Sequence, residues 1–131
     1  MLCDLEVRRL DGEFVPFFDR PALTVAAPAA LARAAHLPVT PVRCVARGEG
    51  VYRLSVEEPL HLDRSLGRME ARLDLLNRLN ACFETWIRED PAQWAWHQHR
   101  WRTQPGERDV MPLEERRRRD IAVLGYDPRA E

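Results

Sequence analysis

A chain of 131 residues holds enough apolar sequence for one self-standing core and too little for two. Its 20 basic and 21 acidic residues leave a formal charge of -1, so bulk charge gives no reason to expect a nucleic-acid partner. Cys3, Cys44 and Cys82 are odd in number and show neither a C-x-x-C pair nor zinc-ligand spacing, which points to reduced, cytosolic thiols and to no metal site.

All 20 basic residues are arginine, for which a coding bias is the simplest cause, although a guanidinium also grips planar phosphates and carboxylates better than an ammonium does. At the start of the chain Asp4, Glu6, Arg8 and Arg9 break up any secretory signal. Nowhere does the sequence approach the roughly 18 apolar residues that span a bilayer, so a soluble or peripheral protein is expected.

Residues 1–5 form a short apolar run broken by Asp4 and read as the end of a buried strand. The Asp4 carboxylate would then sit at a strand's carboxyl edge, either as a turn residue or as one of the functional groups that α/β folds collect there. Asp11 and Gly12 mark a turn. Residues 13–18 are apolar but interrupted by Pro16, which predicts an extended loop pinned by Phe14, Phe17 and Phe18.

Residues 24–36 predict a small-residue helix with Pro28 at its first position and His36 near the carbonyl-rich end. Residues 37–46 predict a strand entered through prolines. Residues 51–57 alternate as a half-buried strand does, and Gly48, Glu49 and Gly50 make the hairpin turn between the two. Residues 65–88 repeat Leu66, Met69, Leu73, Leu76, Leu79, Phe83 and Trp86 at steps of three and four, the pattern of an amphipathic core helix. Asn77 and Asn80 border this stripe, placed to bond a neighbouring loop or to face solvent.

Asp90 followed by Pro91 reads as a further helix start, because the carboxylate accepts first-turn amides and proline gives up no needed donor. On that helix Trp94, His97 and Trp101 would share a face, and Trp96 would stack with Arg100. This cluster of three tryptophans, two histidines and two arginines either closes a core or binds an anionic amphiphile, and pattern alone favours closure. After Arg102 the sequence changes to a linker, and residues 112–124 predict a last short helix. The arginine run 116–119 is flanked by Glu114, Glu115 and Asp120 and reads as a solvated face.

Several chemistries lack their motifs. Neither Ser55 nor Ser65 lies in a G-x-S-x-G elbow, His97 and His99 are not spaced as helical metal ligands, and no glycine pattern cradles phosphate. No cofactor is expected.

Four pieces are similar to a known family. DGEFVPFFDRPALT from Asp11, PAALARAAHLPVTPV from Pro28, the strand ending VEEPL at Leu60 and LNACFETWIREDPAQWAWHQHRW from Leu79 occur in the order and at the spacing of one group. Together they resemble the carboxyl-terminal half of the bacterial lipid A biosynthesis acyltransferases, the lauroyl and myristoyl transferases. The resemblance covers residues 1–102, about three quarters of the chain.

It implies an α/β architecture, the carboxyl-terminal part of a fold like that of the glycerol-phosphate acyltransferases, with strands packed against an amphipathic helix. Residues 1–104 would form this domain and residues 105–131 a charged tail. The implied activity moves an acyl chain from acyl carrier protein to a hydroxyl of a lipid A precursor, in the cytoplasm or at the cytoplasmic face of the inner membrane. Peripheral membrane contact is implied with it. The family's general base is the histidine of H-x-x-x-x-[D/E]. The fifth residues after His36, His61, His97 and His99 are Pro41, Leu66, Arg102 and Gln104, so this chain lacks the motif. In the family the catalytic block lies upstream of the matching region, so the chain is expected to be a truncated or split member, inactive alone, with an unpaired edge or bare apolar face that invites self-association.

By position the resemblance marks Asp4 and Arg100 for substrate binding and Pro38, Val39, Pro41 and Val42 for the acyl groove, with no catalytic residue in the chain. Two family features depart. Its Asp-Gln is here Asp4-Leu5, and its Phe-Phe-Gly is Phe17-Phe18-Asp19. The rival reading is a non-catalytic module that docks its arginines and tryptophans on a lipid surface or a partner protein.

Overall fold

In the computed structural model, which describes Asp4, Glu6 and residues 11–106, two separate antiparallel hairpins and two helices make a mixed α/β structure. The order is β1 (Gly12–Phe17), β2 (Arg20–Val25), α1 (Ala27–Ala35), β3 (Val42–Gly48), β4 (Val51–Val56) and α2 (Arg68–Glu89), followed by a single 3-10 turn at Pro91–Gln93. Of the expected first strand only Asp4 is described, and the expected helix at 112–124 lies outside the described residues.

The loop expected at residues 13–18 is instead β1. Phe17 pairs with Arg20, and the two residues between them, Phe18 and Asp19, both take left-handed backbone angles (φ 49° and 58°), the geometry that reverses a strand most tightly. Pro16 is tolerated because it stands opposite Pro21. In an antiparallel pair alternate residues turn their N–H groups away from the partner, so two facing prolines forfeit nothing to the ladder. The strained turn is held by α2: the Phe18 N–H donates to Glu84 Oε1 at 2.8 Å, and the Arg88 guanidinium lies 4.8 Å from the centre of the Phe18 ring.

One face of this hairpin carries Val15, Phe17, Ala22 and Thr24, all buried. The amphipathic stripe of α2 covers it, with Phe17 and Ala22 meeting Leu79, Phe83 and Ile87 in one core cluster and Val15 meeting Leu75 and Leu76 in another. The small residues Ala29 and Ala32 let α1 join the second cluster. Met69 and Leu66, placed on the core stripe by periodicity, lie at the exposed start of the helix and its approach. At that start Glu70 Oε2 accepts the Gly67 N–H at 3.1 Å, satisfying one amide that the helix leaves open.

The second hairpin is attached differently. The strand expected over residues 37–46 begins only at Val42, preceded by an isolated bridge between Val39 and Leu60, while Gly48 and Gly50 supply the turn with φ of 91° and 77°. Only Val45 of β3 and β4 is buried, so β4 is not the half-buried strand its alternation suggests. Three polar links tether the hairpin to the end of α2 and beyond. Arg43 pairs with Glu89 at 2.6 Å, the Gln93 amide both donates to the Ala46 carbonyl and accepts its N–H, and Trp86 Nε1 donates to Glu57 Oε1.

The tryptophan-rich stretch corrects the sequence reading most. After α2 the Asp90 N–H still donates to the Trp86 carbonyl, but Asp90 is extended (φ -144°), as the residue before a proline prefers to be, and beyond the 3-10 turn the chain advances in short turns. Trp96 and Arg100 therefore do not stack. Trp94 and Trp101 nevertheless converge, both against Phe17, with ring centroids 6.0 and 5.6 Å away. His97, His99 and Trp96 remain exposed.

Candidate functional site

Small side chains on α1 and a proline-rich crossing segment hold two layers apart without filling the space between them. The result is a cavity of about 690 Å³ bounded by α1, residues 37–45 and the carboxyl-terminal half of α2. Its wall is mostly hydrocarbon: Leu31 and Ala35 from α1, Val39 from the crossing segment, Phe83 and Ile87 from α2, and the Trp94 ring beyond it. A volume of that order lies within the roughly 300–1,000 Å³ of small-molecule sites, and an apolar lining with few polar groups is their usual chemistry.

Five of the six residues marked from the sequence lie on this one wall: Asp4, Pro38, Val39, Pro41 and Val42. Pro41 is buried, Pro38 and Val39 are half-buried and Val42 stands at the exposed rim. Asp4 is the unusual one. Its Oδ1 is buried and accepts no hydrogen bond among the described residues, a costly arrangement for a carboxylate.

Arg100 is elsewhere. Its side chain is buried between the first hairpin and α2, 1 % exposed, and does not reach the cavity. Nη1 donates to the Leu23 carbonyl at 2.9 Å, Nη2 to Thr24 Oγ1 at 2.7 Å and more weakly to Asn80 Oδ1 at 3.5 Å, while the guanidinium lies 4.8 Å over the Phe17 ring. Burial pulls its pKa down to about 10, and the nearby carboxylates of Glu6 and Asp4 offset part of that fall. Asn80 completes the cluster by donating to the Pro16 carbonyl and to Thr24 Oγ1. The Pro16 and Leu23 carbonyls point away from the ladder between β1 and β2, so Asn80 and Arg100 satisfy backbone acceptors that the hairpin itself leaves open.

Near the far wall, burial and the Glu57 carboxylate push the Cys82 thiol up to about 11. Arg43 lies 5.8 Å over the Trp86 ring that lines the cavity.

Sequence reasoning did not assign Asn80 and Thr24 to one cluster, nor α1 and α2 to a cavity wall. The stripe on α2 was legible as core, but a periodicity does not say which of its residues face a void. Asn80 did carry a signal, being a polar residue one step from Leu79 and four from Leu76.

A mixed α/β protein with an apolar, ligand-sized cavity, on whose wall Asp4 Oδ1 finds no hydrogen-bond partner among the described residues, is the class these observations define. A family model of bacterial lipid A biosynthesis acyltransferases matches residues 1–103, most of the chain, and the chain belongs to that family. Membership gives acyl transfer in lipid A biosynthesis as its type of function. Comparison with curated proteins returns no match. Among the described residues no helix is long and apolar enough to cross a membrane.

Proposed function

We propose that this chain supplies the acyl-holding wall of a lipid A-type acyltransferase, in the cavity that α1, residues 37–45 and α2 enclose. The acyl chain brought by acyl carrier protein lies along Val39, Phe83 and Ile87, and Pro38, Pro41 and Val42 shape the groove's rim. Asp4, with an unsatisfied oxygen on the same wall, faces the polar end, where a precursor hydroxyl would meet it. Arg100 is a positioning residue: its donors are committed to Leu23 and Thr24, so it fixes the hairpin behind the cavity rather than gripping substrate. The proton-abstracting histidine is provided outside this chain, which holds no H-x-x-x-x-[D/E] sequence. The architecture is the carboxyl-terminal part of a glycerol-phosphate-acyltransferase-like fold, working at the cytoplasmic face of the inner membrane.

The observation that carries this reading is that Asp4, Pro38, Val39, Pro41 and Val42 border one apolar cavity. The purified chain should bind a fluorescent fatty-acyl probe, and Ala35→Phe, which fills the cavity from an exposed helix position, should weaken binding at least about tenfold with little change in melting. Probe binding that is absent, or equal in the two proteins, removes the acyl-groove assignment. Mixed with acyl-loaded carrier protein and a lipid A precursor, the chain alone should give no transfer. Turnover in that assay would show that the base lies within these 131 residues.

A further inference from the structure

The second hairpin leaves the body of the protein through one narrow stalk. Val39 and Leu60 bridge its two ends, each N–H donating to the other's carbonyl at 2.9 and 2.8 Å, and the Glu57 N–H reaches the Pro41 carbonyl at 3.0 Å. Both bridge residues pack against the two core clusters, so the stalk is fixed. Beyond it, β3 and β4 form a sheet of their own and bury only Val45. Yet this hairpin closes one side of the cavity, to whose wall it gives Val42, Arg43, Cys44 and Val45.

What holds it there is polar. Arg43 meets Glu89 in a pair whose side chains stay 22 % and 54 % exposed, and Gln93 exchanges two hydrogen bonds with Ala46 at 3.2 and 3.3 Å. When such links part, water takes over each donor and acceptor, so breaking them costs little net free energy. Arg43 Nε is buried without a partner among the described residues, a cost that swinging outward would relieve. Val42, Tyr52, Leu54 and Val56 are exposed already, so opening bares little apolar surface beyond Val45 and the cavity wall. Two segments that enter the core side by side also allow rotation about one axis without disturbing what lies beneath.

We propose that β3 and β4 form a flap that swings on the stalk at Val39 and Leu60, latched by Glu89 and Gln93, and that its opening times the entry and release of the cavity's ligand. That this ligand is an acyl chain rests on the acyl-groove reading; the motion itself does not.

The test places a thiol at the buried position of the flap, Val45→Cys, in the full chain and follows its alkylation by mass mapping, which separates it from Cys44 and Cys82. Labelling should run well below the rate of the exposed Cys44. It should quicken about threefold with Glu89→Gln added and about tenfold with Gln93→Ala added, as one partly exposed ion pair and two hydrogen bonds are lost. Salt should quicken labelling while Glu89 is present and not once it is replaced. In the unsubstituted chain the amides of β3 and β4 should exchange as one block, faster than those of Val39 and Leu60. Association and dissociation of the fluorescent fatty-acyl probe should both quicken about threefold in Glu89→Gln and leave affinity as it was, because Glu89 lies outside the cavity wall. Labelling that the two substitutions leave unchanged, amides of β3 and β4 as protected as those of β1 and β2, or exchange that spreads residue by residue from the turn at Gly48 and Gly50 overturns the proposal. So do probe rates that Glu89→Gln does not alter, since the hairpin would then move without controlling entry. A chain that binds no probe removes the groove reading, and labelling and exchange then decide the flap on their own.

Discussion

Arg100 takes a charge into a cleft where its hydrogen bonds go to a carbonyl, a hydroxyl and an amide rather than to a carboxylate. What holds it is the flat fork of the guanidinium, which spans Leu23 and Thr24 together, with the Phe17 ring beneath. Arg100→Met should cost about 1–3 kcal/mol, because losing those bonds is partly offset by removing a desolvated charge. Arg100→Lys should cost more, since it keeps the buried charge and loses the fork. Urea melts that place the lysine variant above the methionine variant would show that charge, and not the planar fork, is what the cleft requires. A second residue-scale expectation concerns Cys82. Its raised pKa means that the folded state favours the neutral thiol, so its contribution to stability is complete below the ordinary value of 9.0 and is lost as pH rises through about 11. Stability measured across that window should fall for the parent chain and fall less for Cys82→Ser. At pH 8 the exposed Cys44 should alkylate well before Cys82, as mass mapping of the labelled chain would report.

Among the elements, the first hairpin turns on two residues that adopt positive φ at a cost, where the related family has a glycine at the second. Aspartate tolerates this conformation better than most side chains, and Phe18 is compensated by its bond to Glu84 and by the Arg88 guanidinium over its ring. Asp19→Gly should therefore stabilise the fold by about 0.5–1 kcal/mol, as relief of strain outweighs the added freedom of the unfolded chain. A melting point that does not rise would mean that the turn is already unstrained. The tryptophan strip illustrates how an element can be misread while its contacts are anticipated. Trp94 and Trp101 do meet, because both are drawn to Phe17, but they do so through turns that Asp90 and Pro91 impose on the chain. A strip without regular backbone hydrogen bonds is stable here because its rings and Arg100 are packed between the hairpin and α2.

Over the whole molecule the packing is uneven. The first hairpin and α2 share two buried clusters, whereas the second hairpin contributes a single buried side chain, Val45, and is otherwise tethered by polar links. Its amides should exchange with solvent faster than those of β1, β2 and the centre of α2, because opening it exposes little new apolar surface. Gln93→Ala should speed exchange at Ala46 further, by removing the amide that covers that strand's edge. Hydrogen exchange that finds both hairpins equally protected would contradict this division. Among the described residues Val42, Tyr52, Leu54 and Val56 of the second hairpin remain exposed, which fits its loose attachment.

Sequence alone determined the helices to within a few residues, because a small-residue run after proline and a seven-residue apolar stripe each encode a local periodicity. It also determined the second hairpin's turn and, through resemblance, the family. What only the tertiary structure decided is long-range: that Pro16 sits in a strand opposite Pro21, that the tryptophans reach Phe17 without a helix, that Arg100 points inward to a carbonyl 77 residues away, and that the apolar side of β3 and β4 is exposed among the described residues. Each depends on which surfaces meet after the chain folds back. Spacing along the sequence records what a residue's neighbours on one element are, and not which other element, or which void, its side chain will face.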